Sequence, residues 1–267
     1  MTKQLYWVRL AVPGSGVNPM QEEIHVLENS SDLFHTAAQE FATQAESAVR
    51  ERGVFRVALS GGSTPKTLYS LLASPEFASI PWEKIQLYFG DERDVPPDDP
   101  ESNYRMANEA MISKIHIPPG NVFRVQTEGK TADQAAAEYE QTIGKSFALK
   151  PGEFPRFDLI LLGMGPDGHT ASLFPGSAAL NEQTRAVVAN WVDKFQSYRI
   201  TFTYPVLNNA ACVMFLASGP EKAEMIRNVL EEHRQDLPSA RVHPTNGRLV
   251  WMLDQLAAAG LSRTARA

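Results

Sequence analysis

Short apolar runs that alternate with helical patterns most tightly constrain how this chain can fold. Runs such as Val54–Leu59, Asp158–Leu162 and Ala211–Ala217 are dominated by apolar residues, as expected for strands buried on both faces. Further strands are predicted at Glu23–Leu27, Lys84–Phe89, Asn121–Val125, Arg185–Asn190, Ser197–Phe202 and Leu249–Leu253. Helical patterns separate most of them, at 34–52, 65–72, 102–114, 131–147, 221–232 and 255–259. This alternation predicts an α/β fold with a mostly parallel sheet.

No change of composition marks a linker, so the chain of 267 residues is predicted to form a single α/β domain over residues 22–267. Residues 1–21 contain two prolines and two glycines that interrupt any regular element. We interpret this segment as an N-terminal arm of uncertain order.

The formal net charge of -6 argues against nucleic acid as a partner, because binding to its phosphates favours a basic face. This charge still permits a small basic pocket for one phosphate. The single cysteine, Cys212, excludes a disulfide within the chain, and its apolar neighbours predict a buried packing residue. The sequence has no run of about 20 apolar residues and no signal-like N-terminal region. We therefore expect a cytoplasmic protein without a membrane partner, either a monomer or a small homo-oligomer.

The most informative stretch is Phe157–Ser177, in which a predicted strand runs into a glycine-rich turn. The turn carries Asp167 and His169, a carboxylate and an imidazole two residues apart. Open α/β sheets place their chemistry at such strand ends. Gly163–Gly168 also fits the pattern G-x-G-x-x-G, but Pro175 and the glycine after it interrupt the helix that a dinucleotide site needs. The sequence therefore predicts an acid–base site here, without a nucleotide cofactor.

A second strand end carries Ser60–Thr67, in which two glycines and several hydroxyl groups precede a helix. Thr64 is predicted to cap that helix and Pro65 to be its first residue. Gly61, Gly62, Ser63 and Thr64 could cradle a phosphate at the helix N-terminus, or could form an ordinary capped turn. The segment lacks the Gly-Lys of a P-loop and the last glycine of a nucleophile elbow.

Other charged residues follow further strands and extend the candidate pocket. Asp91 and Arg93 come after the strand that ends at Phe89, and they fit either a site or a solvated charge run. Arg199 and Lys222 add cations, although Lys222 could simply face water. No zinc motif of standard spacing occurs, so no metal is predicted. Together these groups suit a phosphorylated small molecule that undergoes water- or proton-transfer chemistry.

At these residues the chain resembles the 6-phosphogluconolactonases of the glucosamine-6-phosphate isomerase/6-phosphogluconolactonase family. The matching stretches are Leu59–Pro65, Phe89–Arg93, Pro100–Arg105 and Leu162–Gly176, with weaker matches at Arg199–Thr201, Gly219–Ala223 and Leu249–Trp251. The resemblance implies a Rossmann-like open sheet with helices on both faces, related to the folds of glucosamine-6-phosphate deaminases and ribose-5-phosphate isomerases. It implies hydrolysis of 6-phospho-D-glucono-1,5-lactone in the oxidative pentose phosphate pathway, without a cofactor.

The deaminases of the same family are the main alternative. Their pattern continues from the histidine to a glutamate that assists sugar ring opening, and this chain has Phe174 in that region. Their Asp-Glu pair is followed by an aromatic residue, whereas here Arg93 follows. Because a lactone needs only attack by water, both differences favour a lactonase. A sensor that binds a sugar phosphate without turnover is a further alternative, although a pure binder does not need the Asp167/His169 pair.

The resemblance also implies a role for each site residue. His169 would be the general base for water, and Asp167 would orient it. Arg93 or backbone N–H groups would stabilise the oxyanion, and Asp91 would bind sugar hydroxyls or fix Arg93. The phosphate would contact Gly61–Thr64, with Arg199 and Lys222 as cationic contacts.

Overall fold

The computed structural model describes residues 6–9 and 21–262. The strands are β1 (Tyr6–Arg9), β2 (Gln21–Leu27), β3 (Phe55–Leu59), β4 (Ile85–Phe89), β5 (Asp91–Arg93), β6 (Val122–Phe123), β7 (Leu159–Leu162), β8 (Val187–Val192), β9 (Ser197–Phe202), β10 (Cys212–Ala217) and β11 (Arg248–Asp254). The α-helices are α1 (Ser30–Arg52), α2 (Ser63–Leu72), α3 (Asn103–Ala110), α4 (Ala132–Ser146), α5 (Tyr204–Leu207) and α6 (Ala223–Leu230).

Eight of these strands form one sheet in the order β1-β2-β11-β10-β7-β3-β4-β6. Only β1 runs antiparallel to its neighbour, so the sheet is mostly parallel, as predicted. Within the N-terminal arm, β1 pairs with β2 at the sheet edge and Gln21 begins β2, while residues 1–5 and 10–20 lie outside the described residues.

The central strands are buried on both faces, which explains their nearly continuous apolar sequences. In β7, Leu159 and Leu161 face a core cluster that α1, α2 and α3 cover. Ile160 and Leu162 face the opposite cluster, to which α4, α6 and strands β8 and β9 contribute. Helices therefore cover both faces of the sheet. Cys212 is buried in β10, as predicted, and burial raises the pKa of its thiol to about 11.

The main departure from the predicted single sheet is a second, three-stranded antiparallel sheet in the order β5-β9-β8. The segment Asp91–Arg93, which follows the predicted strand Lys84–Phe89, forms β5 and pairs with Thr201–Arg199 of β9. Short strand patterns do not reveal their partners, because a pairing between residues this far apart is decided by tertiary packing.

Three predicted helical features also differ in the structure. The helix predicted over 102–114 ends at Ala110, because Met111 leaves helical geometry at φ -141° before a 3-10 turn at Ile112–Lys114. Residues 255–260 form turns rather than a helix, although the Asp254 carboxylate accepts a hydrogen bond from the N–H of Ala257 as a cap would. Lys222 ends a 3-10 turn directly before α6 instead of lying in the first turn of a longer helix.

Within the part of the chain that the structure describes, no helix is long and apolar enough to span a lipid bilayer.

Candidate active site

A cleft of about 210 Å³ lies where β3, β7 and β10 end and β5 begins. Most of the predicted site residues line it: Gly61, Gly62, Ser63, Thr64, Asp91, Arg93, His169 and Lys222. Asp167 lies behind His169, and Arg199 lies beside Arg93 without lining the cleft. The structure thus brings together residues from four separate strand ends.

A larger cavity of about 500 Å³ lies between α3, β6 and α4, but it contains none of the predicted site residues. Its charged groups are paired, Arg124 with Glu128 and Glu138 with Lys130. We place the chemistry in the smaller cleft, because only there do an imidazole, cations and an open helix N-terminus meet.

The phosphate-binding candidate is the turn from β3 into α2. Helix α2 begins at Ser63, and its N-cap is Gly62, at φ 106°. Thr64 is therefore not the cap, which corrects the sequence prediction. Glycine at this position adopts a left-handed φ that a β-branched residue resists. Gly62 has no side chain to cap α2, and the first residues of the helix line the cleft, so its first N–H groups are candidates to bind an anion there.

Hydrogen bonds to the Tyr69 side chain hold the start of this turn. The Tyr69 hydroxyl donates to the Ser60 carbonyl and accepts from the Ser60 N–H, both at 2.9 Å. The Ser60 hydroxyl is buried and has no hydrogen-bond partner within the described chain. A Cβ on Gly61 would lie 1.9 Å from the Asn103 side chain, so this position requires glycine.

Asp91 is buried and firmly held at the start of β5. Ser172 Oγ donates to its Oδ2 at 2.7 Å, and the Asn103 amide donates to its carbonyl at 2.9 Å and to its Oδ1 at 3.3 Å. Ala171, directly before Ser172, adopts the left-handed φ of 46°, which is costly for a residue with a Cβ. The chain therefore bends sharply to deliver Ser172 to the Asp91 carboxylate.

Glu92 points away from the cleft and anchors α3. Its carboxylate accepts hydrogen bonds from the N–H groups of Arg93, Asn103 and Tyr104 at 2.7–2.8 Å and from Ser102 Oγ at 3.2 Å. Burial raises the pKa of this carboxyl, against the effect of those hydrogen bonds. Glu92 therefore serves as a structural cap, and the adjacent Asp91 and Arg93 face the cleft.

The segment Gly163–Phe174, the candidate catalytic loop, is shaped by its glycines. A Cβ on Gly165 would lie 2.1 Å from the imidazole of His169, so glycine lets the ring pack against the backbone. Gly168 has φ 75°, and its carbonyl accepts from Ser239 Oγ at 2.8 Å. The predicted turn is present, and no helix follows Gly168 within this loop.

His169 is oriented by contacts on two sides. Its Nδ1 forms a hydrogen bond with Asp167 Oδ1, which leaves Nε2 as the ring nitrogen available to a ligand. Phe174 stacks on the imidazole with the ring centroids 4.2 Å apart. Partial burial opposes ionisation of Asp167, but the hydrogen bond and charge of His169 outweigh it and lower the pKa of the carboxyl. Lys194 lies 3.5 Å from the other oxygen, Oδ2.

Lys222 reaches the cleft from the turn after β10. Its Nζ donates to the Met164 carbonyl at 3.1 Å, which ties it to the catalytic loop. The preceding Gly219 has φ 101°, and its N–H donates to the Asp254 carboxylate at 3.1 Å. The last residue of β11 thus fixes the turn that carries this cation.

Arg93 and Arg199 are direct cross-strand partners in β5 and β9. Burial, followed by the charge of Arg93, lowers the pKa of the Arg199 guanidinium. The Arg199 guanidinium lies 5.1 Å from the centre of the Phe195 ring, and Arg93 donates to the Glu101 carbonyl. This geometry presents Arg93 to the cleft, with Arg199 behind it.

The sequence analysis assigned no role to Asn103, Ser172 or Lys194, all of which contact predicted site residues. Asn103 and Ser172 lie within the stretches that carry the family resemblance, so a signal for them was present. Lys194 follows a strand in a segment without any motif. Among residues 6–9 and 21–262, no group of three or more His, Cys, Asp or Glu side chains is arranged to hold a metal ion.

Comparisons with known proteins point to one family. The family model described as glucosamine-6-phosphate isomerases/6-phosphogluconolactonase matches residues 28–251. A 6-phosphogluconolactonase of Nostoc sp. is 40% identical over 245 residues, which cover 91% of this chain and 100% of the relative.

Solved structures give the same result. The 6-phosphogluconolactonase from Trypanosoma cruzi superposes with a TM-score of 0.80 at 33% identity, over 90% of this chain and 96% of that one. A monomeric glucosamine-6-phosphate deaminase shares the fold, with a TM-score of 0.74 at 21% identity over 89% of this chain and 99% of that one. The chain therefore belongs to the glucosamine-6-phosphate isomerase/6-phosphogluconolactonase family.

Proposed function

We propose that this protein hydrolyses 6-phospho-D-glucono-1,5-lactone to 6-phospho-D-gluconate, with His169 as the general base for water. One observation carries the proposal: the Asp167–His169 pair and the uncapped N-terminus of α2 line or border the same cleft. A helix N-terminus attracts anions through its free N–H groups and its dipole. An oriented imidazole, in turn, suits proton transfer near neutral pH.

The 6-phosphate would bind the N–H groups of Gly61–Thr64, with Lys222 as its cationic contact. Arg199 does not line the cleft, so it would support Arg93 rather than touch the phosphate. Binding of the phosphate, which does not react, places the distant lactone carbon C1 beside His169.

In the chemical step, His169 Nε2 takes a proton from water as the water oxygen attacks C1. Asp167 holds Nδ1 and stabilises the imidazolium that forms. Arg93 or backbone N–H groups of the glycine loop stabilise the oxyanion. The C1–O5 bond then breaks, and the ring oxygen recovers its proton from His169.

The main alternative, deaminase chemistry, needs an additional acid to open a sugar ring. Phe174 stacks on His169 and has no group that can transfer a proton. A lactone is opened by the attack of water itself, so the aromatic residue is compatible with lactone hydrolysis. We further propose that the protein works without a cofactor in the cytoplasm, as a single domain, in the oxidative pentose phosphate pathway.

The activity is tested by adding purified protein to freshly generated lactone and following acid release above the spontaneous rate. Turnover supports the proposal. Release of ammonia from glucosamine 6-phosphate would instead indicate a deaminase, and tight sugar-phosphate binding without turnover would indicate a sensor.

The phosphate site is tested by replacing Lys222 with alanine. The KM for the phosphorylated lactone should rise far more than the KM for unphosphorylated gluconolactone, because only the former presents the anion. Lys84→Ala is the matched control, since Lys84 is exposed at the other end of β4. An equal rise for both substrates would remove Lys222 from the phosphate site.

A further inference from the structure

The turn between β8 and β9 lies against the catalytic loop, although neither the sequence motifs nor the proposed mechanism uses it. Asp193–Phe195 form a 3-10 turn, closed by Gln196 at the left-handed φ of 48°. Two consecutive side chains of this turn, Lys194 and Phe195, make contacts that lead to the catalytic pair.

The first contact is electrostatic. Lys194 Nζ lies 3.5 Å from Asp167 Oδ2, whereas Asp167 Oδ1 is the oxygen that binds His169 Nδ1. Each carboxylate oxygen therefore has its own partner. A carboxylate held at both oxygens cannot rotate freely about its Cβ–Cγ bond, so Lys194 fixes the oxygen that faces the imidazole.

The second contact is aromatic. Phe195 packs edge-on against Phe174 with the ring centroids 5.8 Å apart, and Phe174 stacks on His169. The positive edge of one ring against the face of the next is a favoured arrangement. Phe195 is 46% exposed, so its ring can be replaced with little disturbance of the buried core.

The hairpin offers an internal comparison. Trp191 and Tyr198 are similarly exposed, at 41% and 40%, and they pack against each other in a T-shaped pair. Neither ring takes part in the contacts that connect the turn to His169. Exposed aromatic rings are thus present along the hairpin, but Phe195 is the one that contacts the catalytic loop.

We propose that Lys194 and Phe195 are positioning residues that, together with Phe174, hold the Asp167–His169 pair in line with the cleft. We call these three residues the clamp. The clamp would act on the chemical step rather than on binding, because neither Lys194 nor Phe195 lines the cleft. This inference rests on the proposed role of His169 as the base.

The charged groups around His169 determine how each clamp variant should behave. Asp167 contacts the ring, Lys194 neutralises the far side of Asp167, and Arg93, Asp91 and Lys222 line the cleft with it. Removal of Lys194 takes away a positive charge and therefore favours the imidazolium. The acid limb of the pH profile of kcat/KM should then move to higher pH.

The test compares Lys194→Met and Phe195→Leu with the unmodified protein on the phosphorylated lactone. We expect kcat to fall roughly 3- to 10-fold in each, less than the hundredfold that a misplacement of about 1 Å can cost, with KM within about twofold. For Lys194→Met the acid limb should move up by roughly 0.2–0.5 pH units, the size expected for an exposed ion pair. Lys194→Arg should restore both kcat and the position of the acid limb on the pH axis.

The controls are Tyr198→Leu, which removes an exposed ring that packs on Trp191 in the same hairpin, and Lys84→Met, which removes a remote charge. Both should keep the full kcat. The clamp is overturned if Lys194→Met and Phe195→Leu also keep the full kcat, or if Tyr198→Leu loses as much as Phe195→Leu.

A second background separates this proposal from the proposed function. In His169→Asn the clamp substitutions should change the residual rate by less than twofold, since the group that they position is gone. Near-normal turnover of His169→Asn itself would remove the base assignment. If His169→Asn is poorly active but Lys194→Met and Phe195→Leu still lower its residual rate as much as they lower that of the unmodified protein, the clamp is overturned while the base assignment stands.

Discussion

Strand β5 and the catalytic loop border the same cleft, but they are built in opposite ways. In β5, Glu92 is 2% exposed and its carboxylate accepts four hydrogen bonds, while Asp91 is held by Ser172 and Asn103. In the catalytic loop, the His169 side chain is 24% exposed and its ring is held mainly by Asp167 and by stacking.

This difference separates the residues that hold the site in shape from the residues that would carry out the proposed reaction. Removal of a buried polar group that makes all its hydrogen bonds is costly, because it leaves several hydrogen-bond partners unsatisfied. A partly exposed imidazole with one fixed nitrogen can exchange protons with a ligand while the fold stays unchanged. Substitution of Glu92 in β5 should therefore mainly reduce stability, and substitution of His169 in the loop should mainly reduce turnover.

The largest expected effect is on turnover, from His169→Asn. It should lower kcat by about 10²–10⁴-fold, because it removes the general base. The melting temperature should stay within about 2 °C, since the ring is partly exposed. The two measurements are lactone hydrolysis and thermal unfolding of the same preparation. Near-normal turnover would sink the assignment of His169.

Glu92→Ala should show the reverse pattern. Loss of the buried carboxylate leaves the N–H groups of Asn103 and Tyr104 without their acceptor, and should lower the free energy of unfolding by roughly 2–4 kcal/mol. Denaturant titration measures this change. Glu51→Ala, at an exposed position of α1, is the control and should leave the free energy of unfolding nearly unchanged. Equal stability of both variants would contradict a structural role for Glu92.

Gly165→Ala tests how closely the loop must fit the imidazole. The new methyl group would lie 2.1 Å from the ring, so either the ring or the backbone must move. We expect kcat to fall roughly 10- to 100-fold, in proportion to the loss of alignment. Gly144→Ala in α4, where a Cβ meets no atom within 4 Å, should leave kcat unchanged. An active Gly165→Ala enzyme would show that the ring position is not critical.

The smallest expected effect concerns the shape of the pH profile. The pKa of Asp167 is lowered, so this carboxylate is present above that pKa and lost only as the pH falls through it. Asp167 therefore stays ionised across the range where an imidazole titrates. On the acid side of the profile, log kcat/KM plotted against pH should rise with a slope of one. A slope of two would show that Asp167 and His169 titrate together.

Local patterns predicted the part of the site that depends on single strand ends. The glycine turn with Asp167 and His169, the loop Gly61–Thr64 and the parallel sheet all follow from short-range sequence features. The second sheet did not, because the pairing of β5 with β9 joins residues about a hundred positions apart, and three-residue strands carry little pattern.

The same reason explains the errors in detail. The phosphate contact of Arg199 was implied by the family resemblance, and its register opposite Arg93 leaves it outside the cleft lining, so this role stays a prediction. Thr64 was expected to cap α2 because threonine is a frequent cap, but Gly62 reaches the required φ and begins the helix earlier. Lys194 carries no motif, and only the folded hairpin brings it to Asp167.

The most direct test of the central claim is a crystal structure of the protein with 6-phosphogluconate bound. We expect the phosphate to lie against the N–H groups of Ser63 and Thr64, within contact of Lys222, and the C1 carboxylate to lie beside Nε2 of His169. A ligand bound in the reverse direction, with its phosphate at His169 and its carboxylate at α2, would contradict the proposed mechanism.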